Sequence, residues 1–388
     1  MALPLSYNLR NLKVRWQLTL LAVGGIALVV AVLVVLMAMA QGFSLALRAT
    51  GSADNGIVTQ RGSNSELTSG ISQENAATII ADGRIARNDK GEILASPENV
   101  VVANLKRRAD GQPTNVLIRG VTPVAFEVRR GIKLVAGRRF QPGLYEVMVG
   151  KRIAERIQGL DVGGTIKLQR KDWQVVGIYT SDGSGFESEI WADRDAMAPA
   201  FNRGGGYQSI TLRLQDPSTL PAFNEQLKAD PQFQVKLDQE LKYYSDQAGS
   251  VSGQLMALAI FVAIVMGFGA VFGAMNTMNG IVAARTREIA TLRALGFSRL
   301  SILVSFVIES TLLALVAGTI GCLLALPANG FTSATGNANF SELAFAFRIT
   351  PAALAGGLVF ALVMGVVGGL LPAIRAARMP IATALREA

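Results

Sequence analysis

The chain has 388 residues, half of them hydrophobic and only 17% charged, a balance that excludes an ordinary soluble protein. It has no histidine and one cysteine, Cys322, which excludes an intrachain disulfide and removes the commonest general base and zinc ligand. The net charge of +9 does not mark a nucleic-acid partner, because residues 41–252 hold 26 basic against 24 acidic residues and the excess sits on short flanks of apolar runs.

In chain order, residues 1–15 set Leu5, Leu9 and Leu12 against Arg10, Lys13 and Arg15 at helical spacing. That pattern predicts an amphipathic cytoplasmic helix lying on membrane lipid. Apolar runs follow at 16–47, 255–284, 300–326 (broken only by Glu309) and 352–371. Each is long enough for the roughly 20 helical residues that cross a bilayer core. The first run far exceeds the roughly 7–15 residues of a cleavable signal core, so it is read as a retained span. Spans are therefore expected at 16–47, 251–284, 300–326 and 351–374. Arg285, Arg287, Arg293 and Arg299 lie between the second and third, and Arg375, Arg378 and Arg386 follow the fourth, whereas the 327–350 loop has only Arg348. The positive-inside rule then places both termini, the 285–299 connection and the 375–388 tail in the cytoplasm, with 48–250 and the short 327–350 loop outside.

Residues 48–250 are richer in turn formers and alternate as strands at 56–60, 100–106, 115–121, 146–149, 165–169, 174–179 and 209–214. Helices are expected at 72–81 with Ser72 as N-cap, 151–158, 193–201 with Asp193 as N-cap, and 220–230. Arg170-Lys171-Asp172 reads as a hairpin turn, and the mixture predicts a two-lobed α+β domain. The pairs Arg129-Arg130 and Arg138-Arg139 and the run Lys106-Arg107-Arg108 are interspersed with acids and read as solvated surface. The acidic run Asp182, Glu187, Glu189, Asp193 and Asp195 lacks the spacing of a calcium loop and is also assigned to the surface, so no metal site is expected. Gly204-Gly205-Gly206 reads as a turn, and nothing in the domain has catalytic spacing. Residues 236–254 have helical composition and run without proline into the second span, which predicts one continuous helix.

The chemistry of interest falls at 285–299. Ile289, Leu292 and Leu295 form an apolar stripe on a short helix that also carries Arg285, Arg287, Glu288 and Arg293, with Gly296 suited to end it and Ser298 to cap the next. Such a helix, roughly 11 residues long, is marginal alone and needs a surface to dock on. Glu309, in the third span, must find a polar partner, for which Asn276, Thr277 and Asn279 are the candidates, and either a packing hydrogen bond or proton coupling would account for it. Gly269-x-x-x-Gly273 and Gly365-x-x-x-Gly369 permit close helix packing.

Residues 276–280, Thr286-Arg287-Glu288-Ile289, Arg293-Ala294-Leu295-Gly296 and Ile308-Glu309 resemble the core of the MacB/FtsX-type ABC permeases, the group that includes LolC and LolE. Gly369-Leu370-Leu371-Pro372-Ala373, Ala376-Ala377-Arg378 and Ala384-Leu385 are similar to that family's last span and tail. Gly137-Arg138-Arg139-Phe140 and the segments 147–157 and 165–179 resemble its periplasmic core domain. The resemblance implies four membrane helices with a MacB-like periplasmic α+β core domain between the first and second, in a bacterial inner membrane. It further implies a permease homodimer, two copies of a separate ATPase that bind ATP and Mg, and a coupling helix at 285–299 that passes force to the outside domain. The chain has no G-x-x-x-x-G-K-[ST] motif, so no catalytic residue or cofactor site is expected in it and hydrolysis is assigned to the partner. Three functions remain open: export of a periplasmic substrate with an adaptor protein, extraction of lipoproteins from the inner membrane, and regulation of a cell-wall hydrolase without transport.

Overall fold

The structure, a computed structural model, describes residues 16–336 and 342–380. The amphipathic helix expected at 1–15 and the tail beyond 380, with Arg386 and Ala384-Leu385, lie outside the described residues. The helices are α1 (Trp16–Arg48), α2 (Gln73–Ile80), α3 (Ala125–Val128), α4 (Lys151–Arg156), α5 (Arg194–Ala200), α6 (Leu220–Ala229), α7 (Glu240–Ala284), α8 (Thr286–Ala294), α9 (Arg299–Ala325) and α10 (Pro351–Arg378). The strands are β1 (Asn55–Gln60), β2 (Ile71–Ser72), β3 (Ala95–Lys106), β4 (Pro113–Val121), β5 (Lys133–Gly137), β6 (Glu146–Gly150) and β7 (Thr165–Leu168). They continue as β8 (Lys171–Thr180), β9 (Glu189–Asp193), β10 (Gly206–Tyr207), β11 (Ser209–Arg213), β12 (Val235–Gln239), β13 (Thr332–Gly336) and β14 (Glu342–Ala346). Two compact units result, one holding Gly42–Ser252 with Thr332–Ala346 and the other the remaining chain.

The first unit is built on a sheet of order β12-β1-β11-β3-β4-β9-β6-β8-β5, with β7 paired to β8. Strand β3 is long because its run of valines suits a pleated, buried surface, and it serves two cores. Its first residues pair with β11 at Ser209↔Glu98 through Leu212↔Ala95, and the rest pair with β4 at Asn99↔Gly120 onward. Ala95 joins a core with Val58, Ile79, Ile210, Phe223 and Leu237, whereas Val101 joins one with Val147, Ile153, Trp173 and Ile190. The two lobes of the sequence reading are thus two cores on one sheet. Helices α2 and α5 begin at side-chain caps: Asn75 N donates to Ser72 Oγ at 3.2 Å and Ala196 N to Asp193 Oδ2 at 3.2 Å. The hairpin turn between β7 and β8 falls at Gln169-Arg170, with Gln169 at φ 55°, one residue earlier than the charge pattern indicated.

Several surface assignments are overturned here. Arg119 on β4, to which the sequence reading gave no role, is wholly buried and donates to Glu66 at 2.6 Å, Glu98 at 2.9 Å and Glu189 at 2.8 Å. Arg129 is buried as well, donating to Glu98, to Glu240 at 2.9 Å and to Thr211 at 2.7 Å, with its guanidinium 4.7 Å from the Phe186 ring centre. In the acidic run, Glu187 is buried and accepts from Thr180 Oγ1, Ser181 N and Gly183 N, Glu189 belongs to Arg119, and Asp193 is the α5 cap. Only Asp182 and Asp195 of that run are exposed. Each buried carboxylate has its cation far away in sequence or its donors on the backbone, so local charge density gave no sign of burial. Burial alone would raise the Glu66 carboxyl, but the Arg119 guanidinium overrides it and holds the group below the usual range.

The 327–350 connection is a folded element rather than a plain loop. Its β13–β14 hairpin lies in the first unit, where Glu342 accepts from Thr114 Oγ1 and Arg156 Nη2, and Ala344 N donates to Ser188 Oγ at 2.9 Å.

Among the described residues, four helices are long and apolar enough to cross a membrane, Leu20–Arg48, Glu240–Ala284, Arg299–Ala328 and Pro351–Arg378. Glu240–Ala284 is one unbroken helix, because nothing between the charged start at Glu240 and the apolar run interrupts the backbone ladder. Helices α9 and α10 approach closely through small residues: a Cβ at Gly365 would lie 2.5 Å from Ala314 Cβ, and one at Gly369 only 1.9 Å from Ser310 Oγ.

Candidate functional site

The segment joining α7 to α9 is the helix α8, set off at both ends by backbone breaks. Arg285 precedes it at φ −114° and ψ 16°, which interrupts α7 and turns the next nine residues onto a new axis. Gly296 ends it at φ 95°, a conformation in which a side chain would be strained, and Ser298 then caps α9 by accepting from Ser301 N at 3.1 Å. Ile289 and Ala290 are buried. Ile289 packs in a cluster with Met278, Ile281 and Val282 of α7, Ile302 and Phe306 of α9, and Ala373 and Ala376 of α10. This cluster is the docking surface that so short a helix requires.

The stripe read from the sequence is corrected on one side. Ile289 is buried and Leu292 half-buried, but Leu295 is 72% exposed because α8 stops at Ala294 and leaves Leu295 as the C-cap. Arg287, Glu288, Thr291 and Leu295 form the exposed side, and Arg293 is half-buried.

Glu309 is buried on α9, and its partner is Arg285 rather than Asn276, Thr277 or Asn279. Arg285 Nη1 donates to Glu309 Oε2 at 3.0 Å and Nε to Glu288 Oε2 at 3.2 Å, while the guanidinium lies 5.1 Å from the Phe306 ring centre. One arginine therefore joins the start of α8, its first turn and the middle of α9. Read as one of several loop arginines, Arg285 gave no sign of this, because the backbone break that turns it inward is not a composition signal. The three passed-over candidates are engaged elsewhere or exposed: Asn279 Oδ1 accepts from Arg375 at 3.3 Å, Thr277 Oγ1 donates to Gly273 O at 3.0 Å, and Asn276 is exposed.

The glycine pairs divide. Gly365 and Gly369 are consumed within the chain against Ser310 and Ala314, whereas a Cβ at Gly269 or Gly273 would meet nothing within 4 Å among the described residues. They line an open groove of about 710 Å³ between α1 and α7, together with Gly25, Asn276, Asn279 and Gly280.

A family profile described as the MacB-like periplasmic core domain matches residues 19–230, more than half of the chain, and one described as the FtsX-like permease C-terminal matches residues 260–381. The chain belongs to the MacB/FtsX family of ABC transporter permeases. An uncharacterized ABC transporter permease of Methanocaldococcus jannaschii is 28% identical over 62% of this chain and 62% of its own length. YknZ of Bacillus subtilis, an uncharacterized ABC transporter permease, is 25% identical over 96% of this chain and 95% of its own. The macrolide export ATP-binding/permease protein MacB of Neisseria gonorrhoeae is 23% identical over 77% of this chain but only 49% of its own length, so the alignment spans about half of that relative.

Proposed function

We propose that this permease is the force-transmitting subunit of an export system. A homodimer is driven by two copies of a separate ATPase that binds ATP and Mg, and an adaptor protein carries the substrate onward outside the membrane. The observation that carries this reading is the two-sided character of α8. One side is docked through Ile289 and pinned by Arg285 to Glu309, and the other offers Arg287, Glu288, Thr291 and Leu295 to a partner. A helix so anchored passes a push into α7, α9 and α10 instead of absorbing it. Export, rather than lipoprotein extraction or hydrolase control, follows the printed function of the MacB relative. The second copy closes on the open groove at Gly269 and Gly273, where small residues permit helix contact.

The test is reconstitution of the chain with its ATPase in proteoliposomes, comparing the parent with Glu288→Lys and Leu295→Asp. Both positions are exposed, so fold and membrane insertion should survive. ATP hydrolysis should lose its dependence on the permease, and export should fall by about tenfold or more, as loss of a contact worth about 1.4 kcal/mol implies. Unchanged export by both variants would refute the assignment of α8.

A further inference from the structure

The most distinctive unassigned feature is a polar cleft of about 410 Å³ in the α/β unit, at the start of β1, the end of β11 and the segment after α3. Its volume falls within the roughly 300–1,000 Å³ of small-molecule sites. Among its lining residues are Asn55, Arg129, Arg130, Phe186, Arg213 and Glu240. We propose that this cleft binds a small molecule through an anionic oxygen group, a carboxylate or a phosphate, held by Arg130 and Arg213 beside Asn55.

Three observations converge. First, the lining arginines are not equally engaged. Arg129 is neutralised by Glu98 and Glu240, whereas Arg130, on the next residue, is exposed and makes no hydrogen bond or ion pair among the described residues. Second, Arg213 is only half used: Nη2 meets Asp54 Oδ2 at 3.0 Å, while Nη1 is buried with no hydrogen-bond partner among the described residues. The Asp54 side chain is 56% exposed, so this pair is weak and readily gives way to, or is shared with, a ligand anion. Third, Asn55 is 1% exposed and its Oδ1 has no hydrogen-bond partner among the described residues. Its orientation is settled by its neighbours, since Nδ2 donates to Val128 O at 3.2 Å and Glu240 Oε2 at 2.9 Å, both acceptors. The remaining atom must be the oxygen, and it wants a donor.

Asn55 and Arg213 are also directly opposite in the β1–β11 ladder, which puts their side chains within reach of one group. A carboxylate or phosphate in the cleft would meet exposed Arg130, and a small shift of the Arg213 or Asn55 side chain would bring buried Nη1 or Oδ1 to the same ligand. An apolar ligand would satisfy none of them. Buried unpaired polar atoms are unfavourable, so two of them on residues that line one cleft, beside the exposed Arg130, favour an occupant over an inert surface dent. This site is independent of the transport reading.

The experiment uses the full chain in lipid nanodiscs and calorimetric titration at fixed ionic strength with sodium glutamate, inorganic phosphate and, as a cation control, choline chloride. Saturable binding of glutamate or phosphate without choline binding is expected, and whichever anion binds identifies the class. Arg130→Gln, at an exposed position that leaves the fold intact, should weaken that binding about tenfold or more, and Arg213→Gln should do likewise. Absence of saturable anion binding, or binding undiminished in Arg130→Gln, would overturn the proposal.

Discussion

Replacing Arg285 by methionine tests whether one ion pair pins α8. Glu309 has a side chain only 2% exposed and receives Arg285 Nη1 at 3.0 Å, so Arg285→Met leaves a buried carboxylate without its cation. Breaking a buried pair from one side costs about 3–5 kcal/mol, whereas replacing both partners by apolar side chains is often neutral or stabilising. Two further contacts of Arg285 are weaker. Glu288 is 54% exposed, which makes that pair worth about 0–1 kcal/mol, and the approach to Phe306 adds about 0.5–2 kcal/mol. Arg285→Met and Glu309→Met should therefore each destabilise by about 3–5 kcal/mol, and the double variant by only about 0–2 kcal/mol, against about 6–10 kcal/mol if the effects were additive. Reversible unfolding of the full chain by SDS titration in mixed micelles measures all three, and limited proteolysis at 285–299 reports release of α8. A double variant as unstable as the sum of the singles would refute the pinning argument.

Arg119→Met should cost about 3–5 kcal/mol at pH 7, since it takes the cation from buried Glu66 and Glu189 while Glu98 keeps Arg129. The Glu66 carboxyl is depressed in the folded protein, so its stabilisation is present above the ordinary carboxylate value of 4.5 and is lost as pH falls through the depressed folded value. Without Arg119, burial raises the Glu66 carboxyl instead, and the deficit of the variant relative to the parent should shrink between pH 7 and about pH 4.5 in thermal melts. A pH-independent deficit would count against the network. Gly369→Ala should destabilise by about 1–3 kcal/mol because its Cβ meets Ser310, and Ser310→Gly should restore part of that loss in the same SDS titration. A Cβ at position 273 meets nothing within 4 Å among the described residues, so Gly273→Leu should leave monomer stability nearly unchanged while abolishing the proposed dimer in cross-linking and light scattering. A persistent dimer would place the subunit contact elsewhere.

The features legible in the sequence are those whose cause is local. A long uncharged run is enough to predict each of the four apolar helices, Ser72, Asp193 and Ser298 announce their caps by side-chain type and position, and Gly296 marks a left-handed stop. What stayed hidden depends on partners far along the chain. Strands β5, β9 and β12 carry short patterns that become strands only beside β8, β4 and β1, and the β13–β14 hairpin is held by Thr114, Arg156 and Ser188. The buried charges were the hardest, because a charged side chain reads as solvated until its counter-ion is located. Arg285 is the instructive case. As one of the arginines flanking the second and third spans it counts toward orientation, and in the folded chain it is withdrawn to Glu309. The two roles are compatible, since orientation is set by charge near the span ends during insertion, whereas pairing with Glu309 requires α9 to be already packed beside it. A charge can therefore serve the topology first and the fold afterwards, and a sequence pattern explained by the first role conceals the second.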